Sequence, residues 1–369
     1  MGARTSLINC INSTGCLEDI NLKSLVIASL WAFILTAGSA TAADVGVFYY
    51  PGWSRPNIDG WEKIKPHPER EPLLGWYKEG SDEITKTQIK WMEKYGINFV
   101  AYDWYWDKRT GVQNRTYAID SFIRSSENST VEFSLLWANH TGTPESYEEY
   151  DKIVDYWVNH YFKKSNYKKI DGKPVVFIFS AEMLAKDSEK FGATPKELLN
   201  RARLAAQKEG FKGIYFVGSV VADKVSITQT LPDQTYDALS AYNYQNSASP
   251  TLAKRKLSTS YQELSDGYAQ NWNFILENSQ LPYILPLTSG WDKTPWGGSS
   301  DPLHDNSSST PEQFAEHLKQ AKLLISKNPE KTLNTAIICC WNEFGEGSYI
   351  EPTKKFEFKY LEQIKRILK

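Results

Sequence analysis

The amino-acid sequence predicts an α/β protein that folds as a single (β/α)8 barrel, the TIM barrel. From residue 45 onward, short apolar runs alternate with longer amphipathic segments, which is typical of repeated βα units. We count eight such runs, the number of parallel strands that closes this kind of barrel. Polar or aromatic residues follow the runs, as expected where barrel strands end at an open rim that carries an active site.

The apolar runs are rich in β-branched or aromatic residues, and they are bounded by turn formers or polar residues. Parallel strands that are buried on both faces have near-continuous apolar sequences of this kind. We predict the barrel strands at 45–50, 99–104, 132–137, 174–179, 213–218, 238–242, 283–287 and 336–341.

The segments between the strands have the start signals of helices. Ser81, Thr194 and Thr310 are suited to cap a first turn, and proline follows the last two at the first helical position. A doubly wound open sheet is the alternative, but no Gly-x-Gly-x-x-Gly sequence follows a predicted strand, so a dinucleotide site is not indicated. We predict helices at 82–95, 116–126, 145–163, 195–209, 258–277, 311–326 and 355–368.

The start of the chain has the features of an export signal. An apolar block at 25–37 is followed by the small residues 40–42, as in a secretory signal peptide with its cleavage site. The block is too short for a comfortable membrane span, and an uncleaved anchor is the alternative. We predict a preface and signal peptide at 1–42, one catalytic domain at 43–369, and a secreted or periplasmic protein after cleavage near Ala42.

The composition restricts the classes of partner. The 369 residues carry a formal net charge of −2, from 42 Lys and Arg against 44 Asp and Glu, so a nucleic-acid partner is not indicated. Aromatic residues make up 14% of the chain, and many follow predicted strands, where their flat amphipathic rings suit the faces of sugars. The alternative is that they fill a large core. We expect an oligosaccharide or polysaccharide partner, no stable membrane span after signal cleavage, and a monomer.

The cysteines and histidines do not indicate a disulfide framework or a metal site. Cys339 and Cys340 follow the predicted signal, and adjacent residues on a strand point to opposite faces, so we predict small buried hydrophobic residues and no disulfide. The five histidines form no close metal-binding spacing. We predict no metal and no cofactor.

The most informative stretch is the last apolar run and the acidic residues after it. The run at 336–341 leads into Asn342, Glu343 and, three residues later, Glu346. At the carboxyl end of a barrel strand, two acids in one loop can divide the roles of proton donor and base if their environments separate their pKa values. The alternative is a helix N-terminus, where the helix dipole favours Glu. We predict that Glu343 and Glu346 are catalytic.

The other predicted strands also end in groups suited to a sugar, namely stacking rings, hydrogen-bonding side chains and acids. Asp103 is either a site residue or a loop cap, and Glu182 is either an acid of the site or the start of the segment after strand four. The predicted substrate-binding residues are Tyr50, Trp53, Asp103, Trp104, Trp106, Trp137, Asn139, His140, Glu182, Tyr242, Asn243, Trp291, Asp292, Trp341 and Asn342.

Four stretches resemble the motifs of the WbsX-type domain, which is similar to glycoside hydrolase family 99, the endo-α-mannosidases and endo-α-mannanases. They are Trp137-Ala138-Asn139, Asp171-Gly172-Lys173-Pro174, Gly290-Trp291-Asp292-Lys293-Thr294-Pro295 and Trp341-Asn342-Glu343-Phe344-Gly345-Glu346-Gly347-Ser348-Tyr349-Ile350-Glu351-Pro352. The likeness covers essentially all of residues 45–368, and the last motif is the most specific. The resemblance implies a (β/α)8 barrel and retaining hydrolysis of α-linked sugars.

The resemblance also implies roles for the two acids. In the family, the Asn-Glu-x-x-Glu pair after strand eight carries catalysis, and it matches Asn342, Glu343 and Glu346 here. Glu343 would be the base toward the sugar 2-hydroxyl, whose attack on C1 gives a 1,2-anhydro intermediate, and Glu346 would be the general acid and base. Two alternatives stay open: a WbsX-type glycosyltransferase of surface-polysaccharide synthesis, and a non-catalytic carbohydrate-binding protein. The sequence has no Asp-x-Asp pair and no phosphate-cradling glycine loop, features that a nucleotide-sugar site would need.

Overall fold

Eight parallel strands form a nearly closed barrel with helices between them, which confirms the predicted (β/α)8 fold. The computed structural model describes residues 42–53, 60–244 and 257–369, which lie within one unit, Thr41–Lys369. The predicted preface and signal, up to residue 41, lie outside the described residues. None of the described helices is both long and apolar enough to cross a membrane.

The barrel strands lie close to their predicted positions. They are β1 (Asp44–Tyr49), β2 (Phe99–Asp107), β3 (Glu132–Trp137), β4 (Lys173–Ile178), β5 (Tyr215–Ser219), β6 (Ala238–Ser240), β7 (Leu285–Thr288) and β8 (Thr335–Cys339). Hydrogen-bonded neighbours follow the order β6, β5, β4, β3, β2, β1, β8, β7, and each pair is parallel. A parallel bridge between Leu239 and Tyr283 connects β6 with the chain just before β7.

The helices between the strands begin largely where the capping signals predict. Thr194 and Thr310 each form a capping box, with Glu197 and Gln313 respectively, whereas the Ser81 side chain makes no cap hydrogen bond. The helices are α1 (Asp82–Tyr95), α2 (Tyr117–Ser125), α3 (Tyr147–Trp157), α4 (Ala181–Glu189), α5 (Pro195–Lys208), α6 (Leu231–Asp233), α7 (Tyr261–Asn278), α8 (Pro311–Lys327) and α9 (Lys359–Leu368).

Three segments between strands differ from the prediction, and one of them is the π-helical turn Ser226–Thr230 with α6, where no helix was predicted. Helix α4 was not predicted; it follows β4 almost directly, and the Ser180 side chain caps it by accepting a hydrogen bond from the Met183 amide. The predicted helix at 145–163 is α3 followed by a π-helical turn, Val158–Phe162. All three segments lie between consecutive strands of the barrel, so the order of βα units is unchanged.

The barrel strands are buried on both faces, which explains their near-continuous apolar sequences. Phe48 of β1 packs against Phe177 and Tyr242 in a cluster built only from strands and their ends. Its neighbours Val47 and Tyr49 belong to a second cluster that includes the helices. Successive side chains on a strand point to opposite faces, so one set fills the barrel and the other packs against the helix layer.

The pairing of Cys339 and Cys340 corrects the sequence prediction. Strand β8 ends at Cys339, and a cis peptide bond joins it to Cys340. The Cα atoms are 2.9 Å apart and the sulfur atoms form a disulfide. The prediction assumed the alternating side chains of a regular trans strand, but a cis peptide bond shortens the Cα separation and brings neighbouring side chains together. Both residues are fully buried, as predicted.

Candidate active site

The carboxyl ends of the barrel strands surround an open cavity of about 590 Å³. Cavities of roughly 300–1,000 Å³ are typical of sites for small molecules and sugars. The residues that line this first cavity are Tyr50, Asp103, Tyr105, Trp106, Asp107, Lys108, Arg109, Asn114, Arg115, His140, Thr141, Phe179, Tyr242, Asn243, Trp296, Glu343 and Glu346. Both predicted catalytic acids are therefore in the wall of the same cavity.

A short hairpin after β8 presents the two glutamates. Asn342–Glu343 pairs in an antiparallel manner with Ser348–Tyr349, and the Glu346 amide donates a hydrogen bond of 3.2 Å to the Glu343 carbonyl. Gly347 has a left-handed φ of +73°, and a Cβ atom there would lie 2.7 Å from the Asp292 amide nitrogen. Only glycine fits this turn without displacing its neighbour.

Asn342 holds the hairpin in place through hydrogen bonds to the chain after β1, and it does not line the cavity. Its side-chain carbonyl accepts a hydrogen bond of 2.9 Å from the Tyr50 amide, and its backbone carbonyl accepts one of 3.1 Å from the Trp53 indole. Asn342 is fully buried. It therefore connects the chain after β1 to the chain after β8, and it fixes Tyr50 of the cavity wall relative to Glu343.

Four carboxyl groups line the cavity: Asp107, which pairs with Arg109, and a set of three, Asp103, Glu343 and Glu346, whose charges interact. Glu343 is 6% exposed and Asp103, on β2, is 5% exposed, while Glu346 is partly exposed. The Tyr242 hydroxyl donates a hydrogen bond of 3.2 Å to Asp103 Oδ2. Asp103 Oδ1 and Glu343 Oε2 have no hydrogen-bond partner among the described residues. Buried oxygens of this kind are expected to find a partner when a polar ligand binds.

Burial raises the pKa of all three carboxyl groups. The pKa values of Asp103 and Glu343 lie well above their usual range because of burial and, to a smaller extent, because of the negative charge of Glu346. Burial raises the pKa of Glu346 to about 7, against a smaller lowering effect of Lys293. Since nearby carboxylates disfavour each other's ionisation, the three groups release their protons in separate steps.

Arg115 brings a positive charge into the cavity and was not predicted as a site residue. Its guanidinium donates a hydrogen bond of 3.2 Å to the Tyr50 hydroxyl and lies 5.1 Å from the centre of the Tyr105 ring. It lowers the pKa of Asp103 and Glu343, although less than burial raises it. A return strand, Val112–Asn114, pairs with the end of β2 and carries Arg115 back to the rim.

The hairpin side of the cavity is aromatic. The ring of Trp296 lies parallel to that of Trp53 at 6.2 Å, and Trp53 stacks on Trp61 at 4.2 Å. A Cβ atom on Gly345 would lie 1.8 Å from the Trp296 indole nitrogen, so the glycine leaves room for this ring. Trp296 was not predicted as a site residue, because its approach to Gly345 depends on the fold. Its place directly after Thr294-Pro295 was the available signal.

The structure brings together some of the predicted substrate-binding residues and places others elsewhere. Those in the cavity wall are Tyr50, Asp103, Trp106, His140, Tyr242 and Asn243. Those outside it are Trp53, Trp104, Trp137, Asn139, Glu182, Trp291, Asp292, Trp341 and Asn342.

Several of the outlying residues belong to the core. Trp104 and Trp137 lie at the ends of strands but point to the helix side, where both pack edge-on against Trp157 at 5.5 and 5.3 Å. Trp341 is fully buried. Asn139 is also buried, and its side-chain amide exchanges two hydrogen bonds with the backbone of Ser180. Trp104 and Trp137 lie on strands, and the alternation of side chains along each strand turns them away from the opening.

Trp291 and Asp292, after β7, support the hairpin. The Trp291 indole donates to Ser299 Oγ at 2.9 Å, and the ring is 3% exposed. The Asp292 carboxylate pairs with the buried guanidinium of Arg70, which also donates to the Phe344 carbonyl at 2.6 Å. The contacts of Arg70 and Asp292 connect the chain after β7 to the hairpin, and neither Trp291 nor Asp292 lines the first cavity.

Glu182 lies outside the first cavity on the exposed surface of α4. Its carboxylate is 77% exposed and pairs with Lys186 at 2.5 Å, one turn along the helix. Glu182 borders a second cavity beside the first. The described residues include no group of three or more His, Cys, Asp or Glu side chains placed to hold a metal ion.

The protein is therefore a (β/α)8 barrel with an acid-lined cavity that opens at the carboxyl ends of the strands. The chain belongs to the WbsX family: the family model described as "Glycosyltransferase WbsX" matches residues 64–364. No curated protein matches the sequence.

Solved structures of glycoside hydrolase type have the same fold. One is described as a "Glycoside hydrolase-like protein", with a TM-score of 0.65, 17% identity, and coverage of 89% of this chain and 94% of the other. Another is the GH99 endo-α-mannosidase of Bacteroides thetaiotaomicron, with a TM-score of 0.61, 16% identity, and coverage of 88% and 96%. At this level of identity the likeness shows the fold.

Proposed function

We propose that the protein is a secreted or periplasmic glycoside hydrolase that cleaves an α-linked glycan with retention of configuration. The observation that carries the proposal is that Glu343 and Glu346, from one hairpin, share an open cavity with Asp103. Tyrosine, tryptophan, histidine and asparagine side chains provide stacking faces and hydrogen-bonding groups around these acids. The fold of a GH99 endo-α-mannosidase supports the same class of reaction.

The proposed chemistry divides proton transfer between the two glutamates. Glu343 removes the proton of the sugar 2-hydroxyl as that oxygen attacks C1, while Glu346 donates a proton to the leaving glycosidic oxygen. Water then opens the 1,2-anhydro ring: Glu346 removes a proton from the water, and Glu343 returns one to the 2-oxygen. The second inversion at C1 restores the original configuration. Because the two charges repel, the pair releases its protons in separate steps, so one acid and one base coexist over an intermediate pH range.

The experiment that tests the proposal compares the purified mature protein with Glu343→Gln and Glu346→Gln on a panel of α-linked and sulfated polysaccharides. We expect each substitution to lower turnover by roughly 10²–10⁴-fold, the usual contribution of a placed proton-transfer group, and to leave glycan binding largely intact. The double variant should be little worse than either single variant, since both acids act in one step.

Glu316→Gln is the matched control because this carboxylate is exposed on α8 and pairs only with Lys319 in the described structure. Its activity should equal that of the wild type. Undiminished turnover in both single active-site variants would refute the catalytic assignment. It would favour the carbohydrate-binding protein without activity.

A glycosyltransferase is the second candidate, because the description of the family names that activity. It predicts transfer from a nucleotide-sugar donor to an oligosaccharide acceptor, with release of the nucleotide. A screen of nucleotide sugars with the same panel of glycans separates the two functions. Nucleotide release that depends on Glu343 and Glu346, without hydrolysis of any glycan, would decide for the transferase.

A further inference from the structure

A second cavity of about 400 Å³ adjoins the first. Phe179, Tyr242 and Asn243 line both cavities and form the wall between them. The second cavity lies where β4, β5 and β6 end, so it opens on the same rim as the proposed catalytic hairpin. A glycan whose reacting unit occupies the first cavity can therefore extend into the second.

The second cavity differs from the first in its chemistry. Val220, Leu231 and Ala241 contribute an apolar wall. Ser219 Oγ and Gln234 Oε1 are buried and have no hydrogen-bond partner among the described residues. Ser226, Thr230 and Asn243 also line the cavity, so polar side chains border the apolar wall. An apolar surface with polar groups beside it is typical of a site that orients a ligand by a few of its groups.

We propose that the second cavity binds a further unit of the same glycan, one that carries a methyl or acetyl group. A sugar ring with a hydroxyl at every position would bury some hydroxyls against Val220, Leu231 and Ala241 without a partner, which is unfavourable. A 6-deoxy or acetylated unit places a methyl group on that wall, and its remaining polar groups can reach Ser219 and Gln234. The inference rests on the proposed function for the identity of the ligand as a glycan.

The test is a binding titration followed by NMR, with methyl α-glycosides in the gluco, galacto and manno series. Each sugar is supplied as the parent, the 6-deoxy form and the 2-acetamido form. We expect one substituted form to bind at least about tenfold more tightly than its parent sugar. Gln234→Leu should weaken that binding by about tenfold, because it removes the hydrogen-bonding oxygen at similar size.

Ala185→Phe tests the location, since Ala185 lines only the second cavity and a larger ring there fills it. The preference for the substituted sugar should disappear in this variant. Leu204→Phe is the control, because Leu204 is 59% exposed on the outside of α5. Equal affinity for parent and substituted sugars, or an unchanged preference in a folded Ala185→Phe protein, would overturn the proposal.

The binding preference can be measured independently of the proposed hydrolase activity, because the titration requires no turnover. Hydrolysis of short aryl α-glycosides tests the first cavity alone, and the exposed-surface variant Leu204→Phe should leave it unchanged. A wild-type protein that shows the preference but hydrolyses no glycan would refute the hydrolase and leave the second site as a glycan-binding site.

Discussion

Asp103, Glu343 and Glu346 share one cavity, and burial is the main cause of their raised pKa values. Positive charges only partly offset this effect: Arg115 lowers the pKa of Asp103 and Glu343, and Lys293 lowers that of Glu346, each by less than burial raises it. A protonated Asp103 would present a hydroxyl donor to a sugar, whereas an ionised one would only accept. At the residue scale, therefore, the site is a set of acids whose protonation depends on one another.

The pH dependence of activity should follow the pKa of Glu346. Burial raises this pKa from an ordinary 4.5 to about 7. The protonated acid that serves the leaving group is present below that value and is lost as the pH rises through it. We expect kcat/KM to fall above about pH 7. Lys293→Met should move the alkaline limb to higher pH, because Lys293 lowers this pKa.

The measurement is a pH profile of kcat/KM for the wild type and Lys293→Met. Lys319→Met is the control, because the ammonium of Lys319 pairs with the exposed Glu316 on the surface of α8. An alkaline limb that stays in place when Lys293 is replaced would contradict the assignment of Glu346 as the general acid.

A 2-deoxy-2-fluoro glycoside should distinguish two retaining mechanisms. Fluorine at C2 removes the oxygen that forms the 1,2-anhydro ring, so we expect no covalent adduct on intact-protein mass spectrometry. The ordinary retaining mechanism pairs an acid with a nucleophile about 5 Å away and would leave a fluoroglycosyl ester on Glu343. Glu182 was the candidate acid for that pair, but its exposed position outside the first cavity does not support this role.

At the scale of elements, the hairpin after β8 depends on loops from other parts of the barrel. Arg70 and Asp292 bind its backbone from one side, and Asn342 connects it to the chain after β1. Gly347 lies at the point where the hairpin backbone meets Asp292. The positions of the two glutamates are consequently set by contacts between segments distant in sequence.

Gly347→Ala should lower kcat/KM by at least about tenfold and lower the melting temperature. The left-handed φ of +73° is unfavourable for alanine, and its Cβ would also meet the Asp292 backbone at 2.7 Å. Gly192→Ala is a matched control, because Gly192 has a φ of +72° with no atom within 4 Å of the added Cβ. Both variants carry the conformational cost of about 1–2 kcal/mol, and only Gly347→Ala adds the clash. Equal behaviour of the two would show that the contact with Asp292 is unimportant.

At the scale of the whole molecule, buried acids link stability to pH. The carboxylate of Glu79 accepts hydrogen bonds from the Tyr49 hydroxyl and the Trp53 amide, and burial raises its pKa to about 7. Glu351, which binds Gln88 and Tyr77, has its pKa raised by burial to about 8. These protons are held more tightly by the folded chain than by the unfolded chain.

The free energy of unfolding should therefore fall as the pH rises from about 5 to about 8. In this interval the unfolded chain binds fewer protons than the folded one, so the slope is negative. Urea denaturation at both pH values measures the difference. Glu351→Gln should reduce it, whereas Glu316→Gln, on the exposed surface, should not. Higher stability at the alkaline end would contradict the burial of these acids as the controlling factor.

Export is the remaining prediction at this scale. Strand β1 begins at Asp44, so cleavage after Ala42 would leave the first barrel strand complete. N-terminal sequencing of the secreted protein should begin at Ala43. Recovery of a chain that retains residues 1–42 in a membrane fraction would favour the uncleaved anchor instead.

Features that depend on residues close together in the chain could be predicted from the amino-acid sequence. Apolar runs predicted the eight strands, Thr194 and Thr310 marked the starts of two helices, and the break after 336–341 marked the rim position of Glu343 and Glu346. These signals are local because strand burial and helix capping involve neighbours within a few residues.

Which side chains meet could be seen only in the folded barrel. It turned Trp104 and Trp137 toward the helices, returned Arg115 to the rim, placed Trp296 against Gly345, and left Glu182 outside the first cavity. It also paired Cys339 with Cys340 through a cis peptide bond. Closure of the barrel brings distant loops together, and the direction of each side chain there depends on strand twist, register and backbone geometry that local sequence does not specify.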